Sequence, residues 1–201
     1  PIQEAIDSGC VPRLVQLLKL VYADCPVTYD PGQLSLEEQA ALKEKIEKEP
    51  SGKKYKISLR YITSRGHWYH TSWKGDIQKS GGIATNIGVH FFDMLLWIFG
   101  NATSSTVSEH SDQTASGHLE LEKASVDWML SIDATKLPLE AASAGKRTFR
   151  ALTIDGEGFE FSDGFTELHT KSYEEILKGN GFRISETIES IKLVHQIREN
   201  K

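Results

Sequence analysis

The stretch from Ser80 to Gly100, which reads SGGIATNIGVHFFDMLLWIFG, constrains the fold more than any other part of the chain. Two adjacent glycines open it, and glycine reaches backbone angles that are closed to other residues. Apolar side chains then follow at spacings of three and four, which gathers them on one stripe of a helix. They are Ile87, Phe91, Leu95 and Ile98. Gly100 stands where a glycine cap commonly ends a helix, so the stretch predicts a helix with one buried side.

A second face of the same helix carries three polar side chains, Asn86, His90 and Asp93, at positions i, i+4 and i+7. Residues at these offsets are neighbours on a helix, so an amide, a base and a carboxylate are expected side by side. Histidine is suited to proton transfer at neutral pH, which makes His90 a candidate catalyst. A single helical histidine can also be a structural residue held by a hydrogen bond, and the spacing alone leaves both interpretations open.

A strand and a loop rich in aromatic and basic residues precede this helix. Residues 53–64 alternate between apolar and polar side chains, which predicts a half-buried strand of an antiparallel sheet. The strand leads into ITSRGHWYHTSWKGD, whose rings could stack on a base or sugar and whose cations could pair with phosphate or carboxylate. The alternative is a loop that only packs on a neighbouring element. We predict that four residues of this loop contact a substrate: Arg65, Tyr69, Ser72 and Lys74.

Further strands follow the helix, and they decide the predicted fold class. Residues 103–133 and 147–161 alternate in short segments, with a favoured hairpin dipeptide at Asp155-Gly156. Residues 183–199 are predicted to form an amphipathic helix, whose apolar stripe comprises Ile184, Ile188, Ile191, Val194 and Ile197. Several consecutive strands without intervening helices imply an antiparallel sheet, so we predict an α+β fold: an open-faced, mostly antiparallel sheet with helices on one face. The residues His110, His118 and Glu120 lie in alternating strands without ligand spacing, and no metal site is predicted.

Composition and charge argue against several classes of function. The 201 residues suit one domain, or one domain with a small appendage. A net charge of −5, with both signs mixed along the chain, is no footprint of nucleic-acid binding. No apolar run reaches the roughly 18 residues that a membrane span needs, no signal peptide is visible, and two cysteines make no disulfide framework. We therefore expect a cytoplasmic protein that binds neither nucleic acid nor membrane.

The first part of the chain differs in character from the rest. The segment IDSGCVPRLVQLLKL has helical periodicity and resembles the start of an armadillo repeat, but one such unit cannot bury its own apolar face. A capping-box pattern at residues 35–38 predicts a charged helix from about Leu36 to Lys48. We assign residues 1–49 to a helical head and loop, and residues 50–201 to the main domain.

The glycine pair and the helix after it resemble a known family. The segment GGIATNIGVHFFDMLLWIFG resembles the opening of the central helix in the C-terminal domain of the Gfo/Idh/MocA oxidoreductases. The usual form there is glycines, an acid, three residues and a histidine; here the acid position carries Asn86 and the histidine is His90. This departure, the loop at residues 62–76 and IDGEGFEFSDGFTELHTKSYEEILKGNGF resemble one subgroup, the UDP-N-acetylglucosaminuronate 3-dehydrogenases of bacterial surface-polysaccharide (lipopolysaccharide O-antigen) synthesis.

The resemblance implies oxidation of the C3 hydroxyl of a UDP-N-acetylglucosaminuronate-type sugar nucleotide, with NAD as the hydride acceptor. His90 would take the hydroxyl proton, and Asn86 would hydrogen-bond the substrate or a ribose. His169 lies in a loop that approaches the active site in the family, so it is a further candidate for substrate binding, although a helix-cap or packing role is equally open. The resemblance also implies a homo-oligomer that associates through the sheet face.

One feature of that family is missing from the sequence. Its members bind NAD through a Rossmann domain whose first turn is a G-x-G-x-x-G loop, and the chain contains no such loop. The nearest segments, residues 156–158 and 179–181, lack the third glycine. We therefore expect the substrate half of a dehydrogenase, inactive alone, with its cofactor-binding residues unassigned. Two other hypotheses are a non-catalytic sugar-nucleotide-binding or oligomerisation module and a partner-binding solenoid fragment.

Overall fold

The computed structural model describes residues 36–48, 52–159, 173–174, 176–179 and 184–199. The predictions for the head before residue 36, for the two cysteines and for His169 fall outside these ranges. Within them the chain forms one open six-stranded sheet, and the helices at residues 36–48, 89–99 and 184–199 share one hydrophobic core with it. The predicted fold class is confirmed.

The helices and strands are numbered in chain order. The first half contains helix α1 (Leu36–Lys48), strand β1 (Tyr55–Thr63), helix α2 (His67–Thr71), helix α3 (Ile77–Ser80), a π-helix (Ala84–Gly88) and helix α4 (Val89–Phe99). The second half contains β2 (Ala102–His110), β3 (Thr114–Leu121), β4 (Ala124–Ser131), a 3₁₀ turn (Ala134–Lys136), α5 (Leu139–Ser143), β5 (Thr148–Ile154), β6 (Glu157–Phe159) and α6 (Ile184–Glu199).

The sheet has the strand order β2-β3-β4-β1-β5-β6. Strand β1 pairs with β4 in parallel, whereas all other neighbouring pairs are antiparallel. A parallel pair needs a long crossover connection, and residues 64–123 provide it. The prediction of a mostly antiparallel sheet is thus confirmed, with one parallel pair at its centre that the sequence did not indicate.

Alternation along the strands sends one set of side chains into a core between the sheet and α4. In β1, Leu59 is buried while Arg60 is exposed, and Leu59 lies opposite the buried Trp128 of β4. The predicted apolar stripe of the central helix is buried in full. Phe92 of α4 packs on Trp128, with ring centroids 5.2 Å apart and an interplanar angle of 83°. This edge-to-face contact is a favoured arrangement for aromatic pairs.

Helices α1 and α6 flank α4. Ile46 of α1 is buried in the core, and the charged residues of this helix form pairs such as Lys48–Glu44 at 2.6 Å. In α6, the buried side chains are Ser190, Leu193, Val194 and Ile197. Three residues of the apolar stripe predicted there, Ile184, Ile188 and Ile191, are exposed. Only the C-terminal half of that stripe therefore contributes to the core.

One helical run, residues 77–99, is 23 residues long and apolar enough to cross a membrane by length and composition alone. This differs from the expectation that no apolar run reaches the length of a membrane span, although the run contains the polar residues Asn86, His90 and Asp93. Of its most apolar window, 61% is buried inside the protein. Because core helices meet the same two criteria, the run is weak evidence for a membrane span.

A polar network joins β3, β4 and the residue before β1 on the open face of the sheet. His118 Nδ1 lies 2.7 Å from Asp127 Oδ1, and His118 Nε2 lies 2.9 Å from Glu120 Oε1. These contacts, with Glu120 the larger influence, raise the pKa of His118. Lys54, followed by His118 and Ser125, lowers the pKa of Glu120 to about 2.

The close approach of the helix to the sheet predicts the cost of one substitution. A Cβ atom added at Gly88 would lie 2.7 Å from Phe92 Cε2 and 2.8 Å from Leu130 Cδ1. Because both atoms belong to core side chains, we expect Gly88→Ala to lower the free energy of unfolding by about 1–3 kcal/mol. Gly158→Ala is the matched control, since a Cβ there meets nothing within 4 Å. Equal urea midpoints for the two variants would contradict the packing described.

The His118 network predicts a pH-dependent contribution to stability. Because the pKa of His118 is raised in the folded state, its contribution is complete below the unfolded value of about 6.5 and is lost as the pH rises through the folded value. The side chain is 37% exposed, so solvent screening limits the effect to below about 1 kcal/mol. Urea unfolding of His118→Gln should show a larger deficit against wild type at pH 5.5 than at pH 9. The exposed His195, as His195→Gln, controls for the loss of an imidazole.

Candidate functional site

The candidate site is built on the passage from α3 to α4. Gly81 and Gly82 both have φ of 77°, a left-handed angle that favours glycine, as the sequence indicated. Gly81 N–H donates to Ile77 O and so ends α3, and Thr85 Oγ1 donates to Gly81 O at 3.0 Å. Gly100, with φ of 89°, ends α4 by donating to Leu96 O. The helix that carries the polar row is therefore fixed by glycines at both ends, as predicted.

The start of this helix is a π-helix, which the sequence did not predict. Residues 84–88 adopt it, and Asn86 lies at its centre. Single π turns within α-helices often occur at functional sites. The spacing of the residues gave no direct indication of the wider turn that distinguishes a π-helix from an α-helix. The only local signal was Gly88, a glycine inside an otherwise apolar helical pattern.

The amide of Asn86 connects this helix to the loop after β1. Asn86 Nδ2 donates a hydrogen bond to Tyr69 Oη at 3.1 Å. Tyr69 lies in α2 and is 3% exposed, and its ring packs at steep angles against the rings of Trp68 and His70. The structure thus brings together two residues that the sequence placed 17 positions apart in different elements.

His90 follows one turn after Asn86. Its residue surface is exposed to solvent, yet surrounding protein atoms lower the pKa of the imidazole, an effect that the negative charge of Asp93 opposes. The result favours a neutral imidazole, which is the form that accepts a proton. The predicted face is therefore divided: Asp93 acts on His90, whereas Asn86 bonds to Tyr69.

Arg65 lies two residues after the end of β1 and is half-buried. Its Nε is shielded from solvent and has no hydrogen-bond partner among the described residues. A buried donor without a partner is costly, and more so on a charged group. Because the guanidinium pairs well with carboxylate and phosphate, this position favours an anionic ligand.

Ser72 and Lys74 lie in the turn after α2. Ser72 Oγ donates to Tyr69 O at 2.8 Å and accepts from Lys74 N at 3.3 Å. Lys74 Nζ lies 5.9 Å from the centroid of the Trp73 ring. These contacts hold the turn together, and substrate contacts from Ser72 and Lys74 stay predictions.

Two large aromatic side chains at this end of the sheet were not singled out from the sequence. Trp68 is 49% exposed and Trp73 is 55% exposed. Large exposed rings on a loop next to basic residues can stack on a base or a sugar. The sequence showed that the loop is rich in aromatic residues, but it did not show which rings are exposed and which are buried.

A second polar cluster has the residue types of a nucleophile–base–acid triad but not its chemistry. Ser125 Oγ lies 3.2 Å from His118 Nε2, and His118 Nδ1 faces Asp127. However, Glu120 Oε1 accepts the Ser125 hydroxyl hydrogen bond at 2.7 Å and also lies 2.9 Å from His118 Nε2. The two carboxylates raise the pKa of the His118 imidazole, which disfavours the neutral form that would have to activate the serine. No group of three or more metal-ligating side chains is arranged for a metal ion in the described ranges.

The described glycines form no phosphate-binding loop. Gly156 lies with Asp155 in the turn between β5 and β6, and the pair at residues 81–82 lies between helical elements. A dinucleotide loop of the Rossmann type joins a strand to a helix. The described residues therefore contain no such site for the phosphates of NAD.

Comparison with known proteins places this geometry in a family. Residues 43–127 match the model of the oxidoreductase family, C-terminal alpha/beta domain. Two structures of the WlbA (WbpB) dehydrogenase from Thermus thermophilus are 46% and 45% identical to the chain, with TM-scores of 0.74 and 0.73. One is a complex with NAD and alpha-ketoglutarate, and the other is a complex with NAD and UDP-GlcNAcA. Each match covers 80% of this chain and 51% of that chain.

A more distant structure shares the fold. The WlbA dehydrogenase from Bordetella pertussis is 17% identical, has a TM-score of 0.58, and is matched over 80% of this chain and 56% of its own. The chain thus spans about half the length of these solved relatives. The glycine pair, Asn86 and His90 all lie within the range matched by the family model. The chain belongs to the Gfo/Idh/MocA oxidoreductase family and carries its C-terminal alpha/beta domain.

Proposed function

We propose that the chain is the substrate-binding half of an NAD-dependent dehydrogenase that oxidises the C3 hydroxyl of a UDP-N-acetylglucosaminuronate-type sugar nucleotide. The observation that carries the proposal is His90, whose pKa is lowered, on the same helical run as an uncharged Asn86, in a domain that also has an Arg65 Nε without a partner among the described residues. Support for the substrate comes from the WlbA (WbpB) dehydrogenase structure with NAD and UDP-GlcNAcA, to which the chain is 45% identical.

In this reaction His90 acts as the proton acceptor. A secondary alcohol becomes a ketone only if its hydroxyl proton leaves as the hydride leaves its carbon. A neutral imidazole near the hydroxyl takes that proton at neutral pH. NAD, when bound, supplies the hydride acceptor. The described residues hold no dinucleotide loop, so we assign the NAD site to the whole enzyme and propose that the chain alone does not turn over substrate.

The substrate is strongly anionic, with a diphosphate and a uronate carboxylate, and the site is suited to it by charge. Arg65 offers a guanidinium whose Nε has no partner among the described residues. Asn86 binds by hydrogen bonds without adding a negative charge beside His90. Ser72, Lys74 and His169 are proposed as further contacts, and the exposed rings of Trp68 and Trp73 suit the uracil or the sugar.

The wider setting of the enzyme is part of the proposal. Participation in surface-polysaccharide (O-antigen) synthesis and a cytoplasmic location follow from the UDP-sugar substrate. A homo-oligomer formed through the open sheet face is supported by the absence of a covering element among the described residues. That face is more polar than expected, since it exposes Lys56, Arg60 and Asp127 around the half-buried Met129.

A second candidate function is a sugar-nucleotide-binding module without catalysis, which the lack of a dinucleotide loop in the described ranges favours. Both candidates share the same ligand. They differ in whether the chain works with a cofactor-binding partner or domain, so NAD binding by the whole enzyme, and not by the chain alone, distinguishes them.

Calorimetric titration of the chain with UDP-N-acetylglucosaminuronate, and separately with NAD, tests the proposal. We expect the sugar nucleotide to bind and NAD not to bind. Arg65→Gln should weaken sugar-nucleotide binding by about 10- to 100-fold, because it removes a hydrogen-bonded charge pair. Arg60→Gln, an exposed arginine on the open face, is the control and should bind as wild type. Binding of neither ligand by the wild-type chain would contradict the proposed function.

The amide at position 86 predicts the titration of its neighbour. Asn86→Asp places a negative charge next to His90, which should raise the pKa of the imidazole. NMR titration of the His90 ring protons in wild type and variant measures the difference. Gln113→Glu adds the same charge on the exposed turn between β2 and β3 and should leave the His90 titration unchanged. An unchanged His90 titration in Asn86→Asp would refute the proposed electrostatic role of the amide.

A further inference from the structure

Tyr69 lies in the loop that should hold a ligand, but its ring is not available to one. The residue is 3% exposed, whereas its neighbour Trp68 is 49% exposed. The only polar atom of the Tyr69 side chain accepts a hydrogen bond from Asn86 Nδ2. The side chain that sequence alone suggested for direct contact is therefore directed to another residue of the site.

The backbone around Tyr69 is held from several sides, which makes it a firm anchor. Tyr69 N donates to Gly66 O at 3.0 Å, and Ser72 Oγ donates to Tyr69 O at 2.8 Å. Gly75 passes so close that a Cβ there would lie 2.6 Å from Tyr69 O. The phenol oxygen thus has a fixed position from which to orient its partner.

Asn86 needs such a partner because an amide, unlike a carboxylate, has two different ends. Rotation by a half turn exchanges an acceptor for a donor. In the structure the donor end of Asn86 is bound to Tyr69, and Asn86 Oδ1 accepts no hydrogen bond from the described residues. Because the side chain is half-buried and its donor end is bound to Tyr69, its oxygen is held in one orientation.

We propose that Tyr69 is a positioning residue, which fixes the Asn86 amide so that Oδ1 accepts a hydrogen bond from a hydroxyl or N–H group of the substrate. This inference rests on the proposed function for the identity of that substrate. It assigns Tyr69 an indirect role, with Asn86 as the group that touches the ligand. It also explains how a neutral amide serves reliably as an acceptor.

A double-mutant cycle on the binding of UDP-N-acetylglucosaminuronate tests the role. We expect Tyr69→Phe to weaken binding about 5-fold, the effect of one neutral hydrogen bond, and Asn86→Ala to weaken it about 10-fold. In the Asn86→Ala background, Tyr69→Phe should cost less than about 2-fold, because the group it positions is gone. The same 5-fold loss in both backgrounds would show a merely structural role and overturn the proposal. Tyr61→Phe, another buried tyrosine, is the control for removing a phenol oxygen.

A second measurement needs no ligand. In the wild type, one side-chain amide proton of Asn86 should exchange slowly with solvent and shift on Tyr69→Phe, with the signal identified by its loss in Asn86→Ala. An unchanged signal and exchange rate in Tyr69→Phe would overturn the proposal. If the wild-type chain binds no sugar nucleotide, the proposed function fails, and the amide measurement still decides whether Tyr69 orients Asn86.

Discussion

The packing of α4 on the sheet fixes the site. Phe92 meets Trp128 edge to face at 5.2 Å, and the absence of a side chain at Gly88 lets the helix approach Leu130 closely. These contacts set the depth and the rotation of the helix, because a packed core admits few alternative arrangements. With the apolar stripe held against the strands, His90 has to lie on the side that solvent reaches. The position of the candidate base is therefore a consequence of the core.

The π-helix reconciles this packing with a second demand. After Gly88 the helix has to keep its apolar stripe against the sheet. Before Gly88, Asn86 has to reach Tyr69 in α2. The wider turn at residues 84–88 accommodates one more residue than an α-helical turn would, so the two segments present their side chains independently. An irregular turn costs free energy, and such turns are commonly retained where they position functional groups. A π-helix at the candidate site fits that pattern.

Local periodicity was enough to predict much of the fold. The alternation in β1 and β4 and the stripe from Ile87 to Ile98 each report a buried face directly. The parallel pairing of β1 with β4 places residues such as Leu59 and Trp128 opposite each other. These residues are far apart in the sequence, and local periodicity cannot predict which distant strands pair. The site shows the same limit: Trp68 and Tyr69 are adjacent aromatic residues, and only the tertiary structure shows that Tyr69 is the buried one and that it meets Asn86.

The charges of the site explain why Asn86 and Tyr69 belong together. An acid at position 86 would present an acceptor in either orientation, but it would repel the anionic sugar nucleotide that we propose as substrate and favour the charged form of His90. An amide removes the repulsion and adds no charge that would favour the protonated imidazole. However, its donor and acceptor ends differ, so its orientation has to be fixed. The phenol of Tyr69 fixes it from a rigid turn. In a chain of this fold that carries an acid at position 86, the residue at position 69 does not have to orient that side chain. The residue types at positions 69 and 86 should therefore vary together.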